Sequence, residues 1–149
     1  MRQLRFKNLN DAVKELKALE KAKSFNIVGK WTYSKILDHC SADIEGSVSG
    51  YKRKVPWLFR KFIGPFVLKK ILKRGFIPAK QRYPAVSKRR ERENEKLALT
   101  RLLKAIHRFK KHKGPLFEDP FYGYMTKEQY EKLHAYHLAH HLGLLKPYH

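Results

Sequence analysis

Apolar residues recur at intervals of three and four along most of this 149-residue chain, and this periodicity restricts its fold more than any other feature. Such a stripe gives a helix one face that can turn toward a core, while the polar positions between stay in water. The pattern predicts four amphipathic helices, over residues 9 to 22, from about Thr32 to about Tyr51, from 88 to about 111, and from a cap at Thr126 to about Leu142.

The last predicted helix has the clearest boundaries. Thr126-Lys127-Glu128-Gln129 fits the S/T-x-x-E/Q capping box, in which the Thr126 hydroxyl accepts the backbone N–H of Gln129 and the Gln129 side chain reaches back. Gly143 follows the last apolar residue and is expected to end the helix.

Residues 52 to 87 do not share this regularity. They are aromatic, apolar and basic at once, and four prolines forbid one long helix: Pro56, Pro65, Pro78 and Pro84. We expect short helices near Trp57–Ile63 and Phe66–Lys73, followed by an extended stretch. The aromatic residues of this segment either lie on a membrane surface or cover one end of the helices, and we favour the second because Pro65 interrupts a continuous amphipathic face.

Charge and composition restrict the class of protein. Lys and Arg number 34 against 13 Asp and Glu, a net charge of +21, so the surface attracts polyanions, although no nucleic-acid-binding motif accompanies the charge. The single cysteine, Cys40, excludes an intramolecular disulfide, and no apolar run is long enough to cross a bilayer. We therefore expect one cytoplasmic domain spanning residues 1–149.

Four of the eight histidines lie within eight residues on the last predicted helix. At 100° per residue, His137 and His141 fall in one apolar sector, with His134 and His140 at its two edges. Two imidazoles pointing into a core each need a partner for a donor and an acceptor, and a metal ion satisfies both. The H-x-x-x-H spacing lets the rings converge on one ion.

A third ligand has to come from another helix. His39, on the second predicted helix, is the best candidate, and it lies on the flank of the apolar stripe of that helix. Its neighbour Cys40 diverges from it by 100° and is expected in the core. Asp43, one turn after His39, is a candidate base or outer partner of the ion, with an ordinary surface carboxylate as the alternative.

Two segments resemble a known family. G-K-W-T-Y-S-K-I-L-D-H, residues 29–39, resembles the second-helix motif of the DinB/YfiT-like metalloenzymes, in which a tryptophan and an aliphatic pair precede a metal-binding histidine. Residues 119–142, with a P-x-x-G-x-x-T turn before an H-x-x-H-H cluster, resemble the closing segment of a branch that is known only as a domain of unknown function. The pattern departs at Asp119, where the family often has histidine.

The resemblance implies an all-α fold, a four-helix up-down-down-up bundle, here with an irregular proline-containing insertion between helices 2 and 3. It also implies that His39, His137 and His141 hold one divalent metal ion, nickel or zinc, with iron or manganese as alternatives. Some members of the superfamily transfer low-molecular-weight thiols, and others isomerise or hydrolyse small molecules.

These expectations lead to a metal-dependent small-molecule enzyme, such as a thiol S-transferase, acting on an anionic or thiol substrate, with a homodimer as one assembly. Two alternatives of other classes stay open. One is a metal-binding protein without catalysis, and the other is a basic protein that binds nucleic acid or an anionic membrane.

Overall fold

The computed structural model describes residues 1–78, 85–88 and 90–149. These residues contain five α-helices and three β-strands. In chain order the elements are α1 Leu9–Glu20, β1 Ser24–Val28, α2 Tyr33–Ser49, a π-helical turn Phe59–Ile63, α3 Gly64–Arg74, β2 Ala85–Lys88, α4 Arg92–Lys111, α5 Lys127–Leu142 and β3 Leu145–Tyr148.

The predicted all-α, four-helix up-down-down-up bundle is wrong, because the fold is mixed. β1 is the centre of an antiparallel sheet of order β2-β1-β3, with Ile27 opposite Val86 on one side and Leu145 on the other. Each strand has only four or five residues, too few for a clear alternation of apolar and polar positions. The partners of β1 also come from distant parts of the chain, so local sequence did not indicate the pairing.

Three of the helices, α1, α2 and α5, begin at a residue whose side chain caps the helix. The Asn8 side chain accepts the backbone N–H of Asp11 at the start of α1, and Thr32 accepts that of Lys35 at the start of α2. The capping box of α5 is present in full, as predicted from Thr126 and Gln129. α2 packs along α4, and α5 packs against both α1 and α2 around one apolar core.

α5 ends at Gly143, as expected, but the position requires glycine for a different reason. Its φ of −63° is ordinary right-handed helix, so the left-handed freedom of glycine is not needed here. A Cβ at this position would lie 2.6 Å from the carbonyl oxygen of Arg2, which is closer than atoms can approach. The glycine therefore admits the N-terminal segment of the chain against the end of α5.

The region between α2 and α4 is more regular than its prolines indicated. Residues 57 to 74 are helical without a break, because a π-helical turn precedes Pro65 and the N–H of Gly64 reaches back to the carbonyl of Phe59. Residues 85–88 form β2, so α4 begins at Arg92 and not at 88. The predicted extended stretch around Pro84 falls outside the described residues. Among the helices that the structure describes, none combines the length and the apolar character needed to cross a membrane.

The sheet positions one end of the helical core. β1 leads into α2, and β3 follows α5 directly. Because β1 and β3 are hydrogen-bonded neighbours, the first turns of α2 lie beside the last turns of α5. This is the end of the fold where His39 and His141 meet.

Candidate metal centre

Three histidines from two helices converge at this end. His39 lies early in α2, and His137 and His141 lie in the second half of α5. The Nε2 atom of His137 is 3.2 Å from Nε2 of His39 and 3.0 Å from Nε2 of His141. One nitrogen of each ring lies within 4.8 Å of those of the other two.

These separations suit a small metal ion. Zinc–nitrogen bonds of about 2.0–2.1 Å in a tetrahedral site place neighbouring ligand nitrogens about 3.3–3.4 Å apart. The two Nε2 separations at His137 are within a few tenths of an ångström of that value. Three imidazoles also form a donor set that suits zinc, nickel and iron. The three residues therefore fit a divalent ion in both geometry and chemistry.

Asp43 lies behind the cluster. One of its oxygens, Oδ2, is 3.2 Å from Nδ1 of His137, on the side of the ring opposite the converging Nε2. A carboxylate in this position orients an imidazole and makes its other nitrogen a stronger ligand. Asp43 is thus placed as an outer partner of His137. By contrast, Nδ1 of His141 is buried and has no hydrogen-bond partner among the described residues.

His134 is a member of this cluster that the sequence did not single out. It is almost fully buried, its Nδ1 lies 3.5 Å from Oδ2 of Asp43, and its Nε2 contacts the Ser47 hydroxyl at 3.1 Å. Ser47 is fixed in turn because its hydroxyl donates to the carbonyl of Ile44. The sequence offered one signal for it: His134 and His141 are about two turns apart on α5 and so lie on similar sides of the helix. At 100° per residue, His134 falls at the edge of the apolar sector.

The electrostatics keep the three rings neutral and Asp43 ionised. Burial lowers the pKa of His39, and it lowers that of His137 to about 4 against an opposing effect of Asp43. Burial, followed by the neighbouring His137, lowers the pKa of His141 to about 2. Burial alone would raise the pKa of Asp43, but the contacts with His134, His137 and His39 outweigh it and lower the pKa to about 2. Neutral imidazole is the form that binds metal.

Trp31 forms one wall of the cluster. Its ring stacks on His141 with 6.0 Å between centroids and is tilted against His39 at 5.0 Å. The cluster is partly accessible to solvent, because His137 keeps 21% of its side chain exposed and Asp43 keeps 27%. An ion held here would be shielded by an aromatic wall and still reached by solvent or a small ligand.

The predicted orientation of α5 needs correction. His137 and His141 were expected inside the core, but both are only partly buried, whereas His134 is fully inside. α5 packs against α1, α2 and α3, so buried residues occur around most of its circumference and no single apolar sector marks the core.

The structure also locates two other residues that the sequence analysis considered. Cys40 is buried in the core, as expected. Asp119 is also buried and accepts the backbone N–H groups of Phe121 and Tyr122, so it shapes the loop before α5. In α2, Gly46 allows the ring of Tyr51 to pack against the helix, since a Cβ at this position would collide with that ring.

A cleft of about 320 Å³ lies on the neighbouring face of α5. It is lined by Tyr136 and His140, by the N-terminal segment with Arg2 and Arg5, and by residues 76–78. The His140 ring is 5.0 Å from the His141 ring, centroid to centroid, so the cleft and the histidine cluster are adjacent. The cleft is basic and partly apolar, which suits a small anionic molecule.

Comparison with known proteins gives one match. A family model described as "Protein of unknown function (DUF1569)" matches residues 1–148. No curated protein and no solved structure matches the chain.

Proposed function

Because this chain belongs to the DUF1569 family, whose description names no function, we propose from the geometry of its own residues that it is a metal-dependent small-molecule enzyme. His39, His137 and His141 bind one divalent ion in this proposal, zinc or nickel first, with iron or manganese as alternatives. The observation that carries it is the convergence of three Nε2 atoms, with separations of 3.0 and 3.2 Å at His137.

Three protein ligands with an open side are typical of catalytic metal sites, whereas structural zinc sites have four protein ligands. When bound, the ion supplies a Lewis acid that lowers the pKa of a water or a thiol toward neutrality and so provides a nucleophile at pH 7. The partial exposure of His137 and Asp43 supports access from solvent.

The residues around the three histidines orient the ligands, exclude water and attract the substrate in this proposal. Asp43 holds His137 in the tautomer that leaves Nε2 free, and its position behind the ring and its pKa near 2 make it an outer partner of the ion and not a base. Trp31 excludes water from the side that it covers. The net charge of +21, with Arg5 in the adjacent cleft, attracts an anionic substrate.

We propose thiol S-transfer as the reaction class. In this reaction the sulfur of a low-molecular-weight thiol loses its proton and forms a bond to an electrophilic carbon, whose leaving group departs with the bonding electron pair. The support is the resemblance of residues 29–39 and 119–142 to the DinB/YfiT-like metalloenzymes, and we propose on the same basis that DUF1569 is distantly related to them. The sheet is a departure from the helical bundle of that superfamily.

Metal content tests the site. Untagged protein is expected to contain about one equivalent of a divalent metal by mass spectrometry, and added zinc or nickel should raise its melting temperature. His39→Ala, His137→Ala and His141→Ala should each lose the metal and the shift. His107→Ala, on an exposed histidine of α4, is the matched control. Metal retained at full stoichiometry in all three variants contradicts the proposed site.

Activity is tested separately. Metal-loaded protein is incubated with a small carboxylated thiol and an alkyl halide, and the thioether product is measured against the uncatalysed rate. Product formation that is lost in His39→Ala and kept in His107→Ala supports the enzyme. Stoichiometric metal with no turnover favours the non-catalytic metal-binding alternative.

A further inference from the structure

Five large apolar side chains on one helical segment are exposed. Trp57, Phe62 and Phe66 keep 57%, 63% and 59% of their surface in water, and Leu58 and Ile63 keep 61% and 49%. Single exposed apolar residues are common on proteins, but a contiguous group of this kind marks an interaction surface. We call these five residues the aromatic face. They do not cover the end of the helical core, which was the favoured expectation from the sequence.

The aromatic face is held in a fixed orientation. The opposite side of the helix is buried through Leu68 and Ile71, which pack with Leu133 and Tyr136 of α5. Gly64 adds a backbone contact, since a Cβ there would lie 2.2 Å from the carbonyl oxygen of Phe121. The π-helical turn carries the helix past Pro65, so residues on both sides of the proline belong to one continuous helical segment. The exposure is thus a property of the packed fold.

The charge around this surface is mainly positive, although Glu118 pairs with Arg60 and Lys54. Residues 52 to 74 contain nine lysines and arginines and no aspartate or glutamate. Lys61 lies over the rings of Trp57, at 4.8 Å, and Phe62, at 5.6 Å, and Lys70 lies 4.6 Å from the ring of Phe66. Cations and aromatic rings therefore alternate on the same face.

We propose that the aromatic face, with its lysines, docks on the surface of an anionic membrane. The boundary between headgroups and acyl chains takes tryptophan, phenylalanine and aliphatic side chains together, while lysines extend to the anionic headgroups. The helix lies in the plane of this boundary and does not cross the bilayer. The proposal is independent of the metal site.

The charges and side chains of the aromatic face disfavour two other partners, a second copy of the chain and single-stranded nucleic acid. A second copy of the chain would bring Lys61 and Lys70 of each copy against those of the other across a symmetric interface, which is repulsive. Single-stranded nucleic acid would stack bases on aromatic rings, but Lys61 and Lys70 already cover these rings and Leu58 and Ile63 offer no stacking surface. An anionic membrane uses all five apolar residues and both lysines.

Vesicle sedimentation tests the proposal on the full chain. The protein is expected to sediment with phosphatidylcholine vesicles containing about 30% phosphatidylserine and to stay in solution with phosphatidylcholine alone. The double variant Phe62→Ser/Phe66→Ser should reduce the partition coefficient at least about tenfold, because each ring loses its transfer from water. The double variant Lys61→Glu/Lys70→Glu should reduce it about fivefold or more for each charge.

Matched variants on α4 separate the face from the overall charge. Leu97→Ser removes an exposed apolar residue and Lys104→Glu reverses an exposed cation, and neither should change binding by more than about twofold. Trp57 emission should shift to shorter wavelength on anionic vesicles, and Trp57→Phe should remove the shift.

Three results would overturn the proposal. The first is binding to anionic vesicles that survives Phe62→Ser/Phe66→Ser, which indicates adsorption by net charge alone. The second is a dimer in solution that the same variant dissociates, with no binding to vesicles. The third is a single-stranded oligonucleotide whose binding depends on the aromatic face while vesicle binding does not.

Discussion

At the scale of the residue, the candidate centre depends most on Asp43. A single carboxylate oxygen, Oδ2, approaches Nδ1 of His137 at 3.2 Å and Nδ1 of His134 at 3.5 Å. Its neighbours hold the pKa of Asp43 near 2 although burial acts to raise it, so the group is ionised throughout the neutral range. Asp43 therefore connects His137, a proposed metal ligand that is partly exposed, to a histidine that lies inside the core.

Asp43→Asn tests this connection. We expect metal affinity to fall about 10–100-fold, because His137 loses the charged partner that orients it. Competition with a chelator of known affinity measures the change. Glu45→Gln, on the same helix and ion-paired to Arg108 at the surface, is the matched control and should leave affinity unchanged. Equal effects of the two substitutions would show that Asp43 is not a partner of His137.

The lowered pKa values of the histidines predict how the stability of the metal-free protein depends on pH. An unfolded chain protonates its histidines near pH 6.5, whereas the folded protein keeps His137 neutral down to about pH 4. Between these values the unfolded state binds more protons, so the free energy of unfolding decreases as pH falls through this window.

Urea unfolding at several pH values, in the presence of a chelator, measures this slope. Each unit by which a pKa is lowered corresponds to about 1.4 kcal/mol when the window is crossed completely. His137→Gln removes one of the contributing groups and should make the profile less steep between pH 6.5 and 4, while His39 and His141 still contribute. A profile as steep in the variant as in the parent protein would contradict the assignment to His137.

At the scale of the element, the short strands position the histidine cluster by joining the segment before α2 to the segment after α5. β1 ends three residues before Trp31, and β3 begins after Gly143 and Leu144, so their pairing links the segments that carry the three histidines. A five-residue strand is not stable alone, but Phe25 and Ile27 are buried in the same core as α1, α2 and α5. The sheet and the helical core thus stabilise each other.

Ile27→Ala is expected to destabilise the fold by about 2–5 kcal/mol, because it leaves a cavity at a fully buried position in β1. Chemical denaturation measures the loss. Val86→Ala provides the comparison, since Val86 is the partner of Ile27 in β2 but is exposed, and it should change stability by no more than about 0.5 kcal/mol. Similar losses in the two variants would mean that Ile27 is not a core residue.

At the scale of the whole molecule, the two ends of the chain are joined. The backbone N–H of Arg2 donates to the carbonyl of Gly143, and its side chain donates to the carbonyls of Leu142 and Leu145. The same guanidinium forms an ion pair with Glu15 of α1 at 2.7 Å. Arg2 therefore fixes the end of α5 and the start of β3, next to His141.

Arg2→Ala should lower the free energy of unfolding by about 1.5–3 kcal/mol, as expected for charge-assisted hydrogen bonds whose carbonyl partners lose a donor. Arg53→Ala, at an exposed arginine before the π-helical turn, is the control for loss of one positive charge. Thermal unfolding of the two variants distinguishes the roles. Equal melting temperatures of the two variants would show that the hydrogen bonds of the Arg2 side chain to the end of α5 and the start of β3 do not contribute to stability.

The sequence by itself determined the local structure. The capping box at Thr126 started α5 where it was expected, and the apolar stripes located α1, α2 and most of α4, because helix formation depends on residues within one or two turns. The i, i+4 spacing of His137 and His141 likewise brings two rings together on one helix, independently of tertiary contacts.

Tertiary structure alone decided what depends on distant residues. The sheet pairs β1 with strands far along the chain, and no local pattern indicates such a partner. His39 meets His137 only because α2 and α5 are packed side by side, and which side of α5 is buried was set by three neighbouring helices. The sequence therefore specified where helices form and which histidines share a face, and packing specified which of those histidines converge near solvent and which one, His134, lies inside.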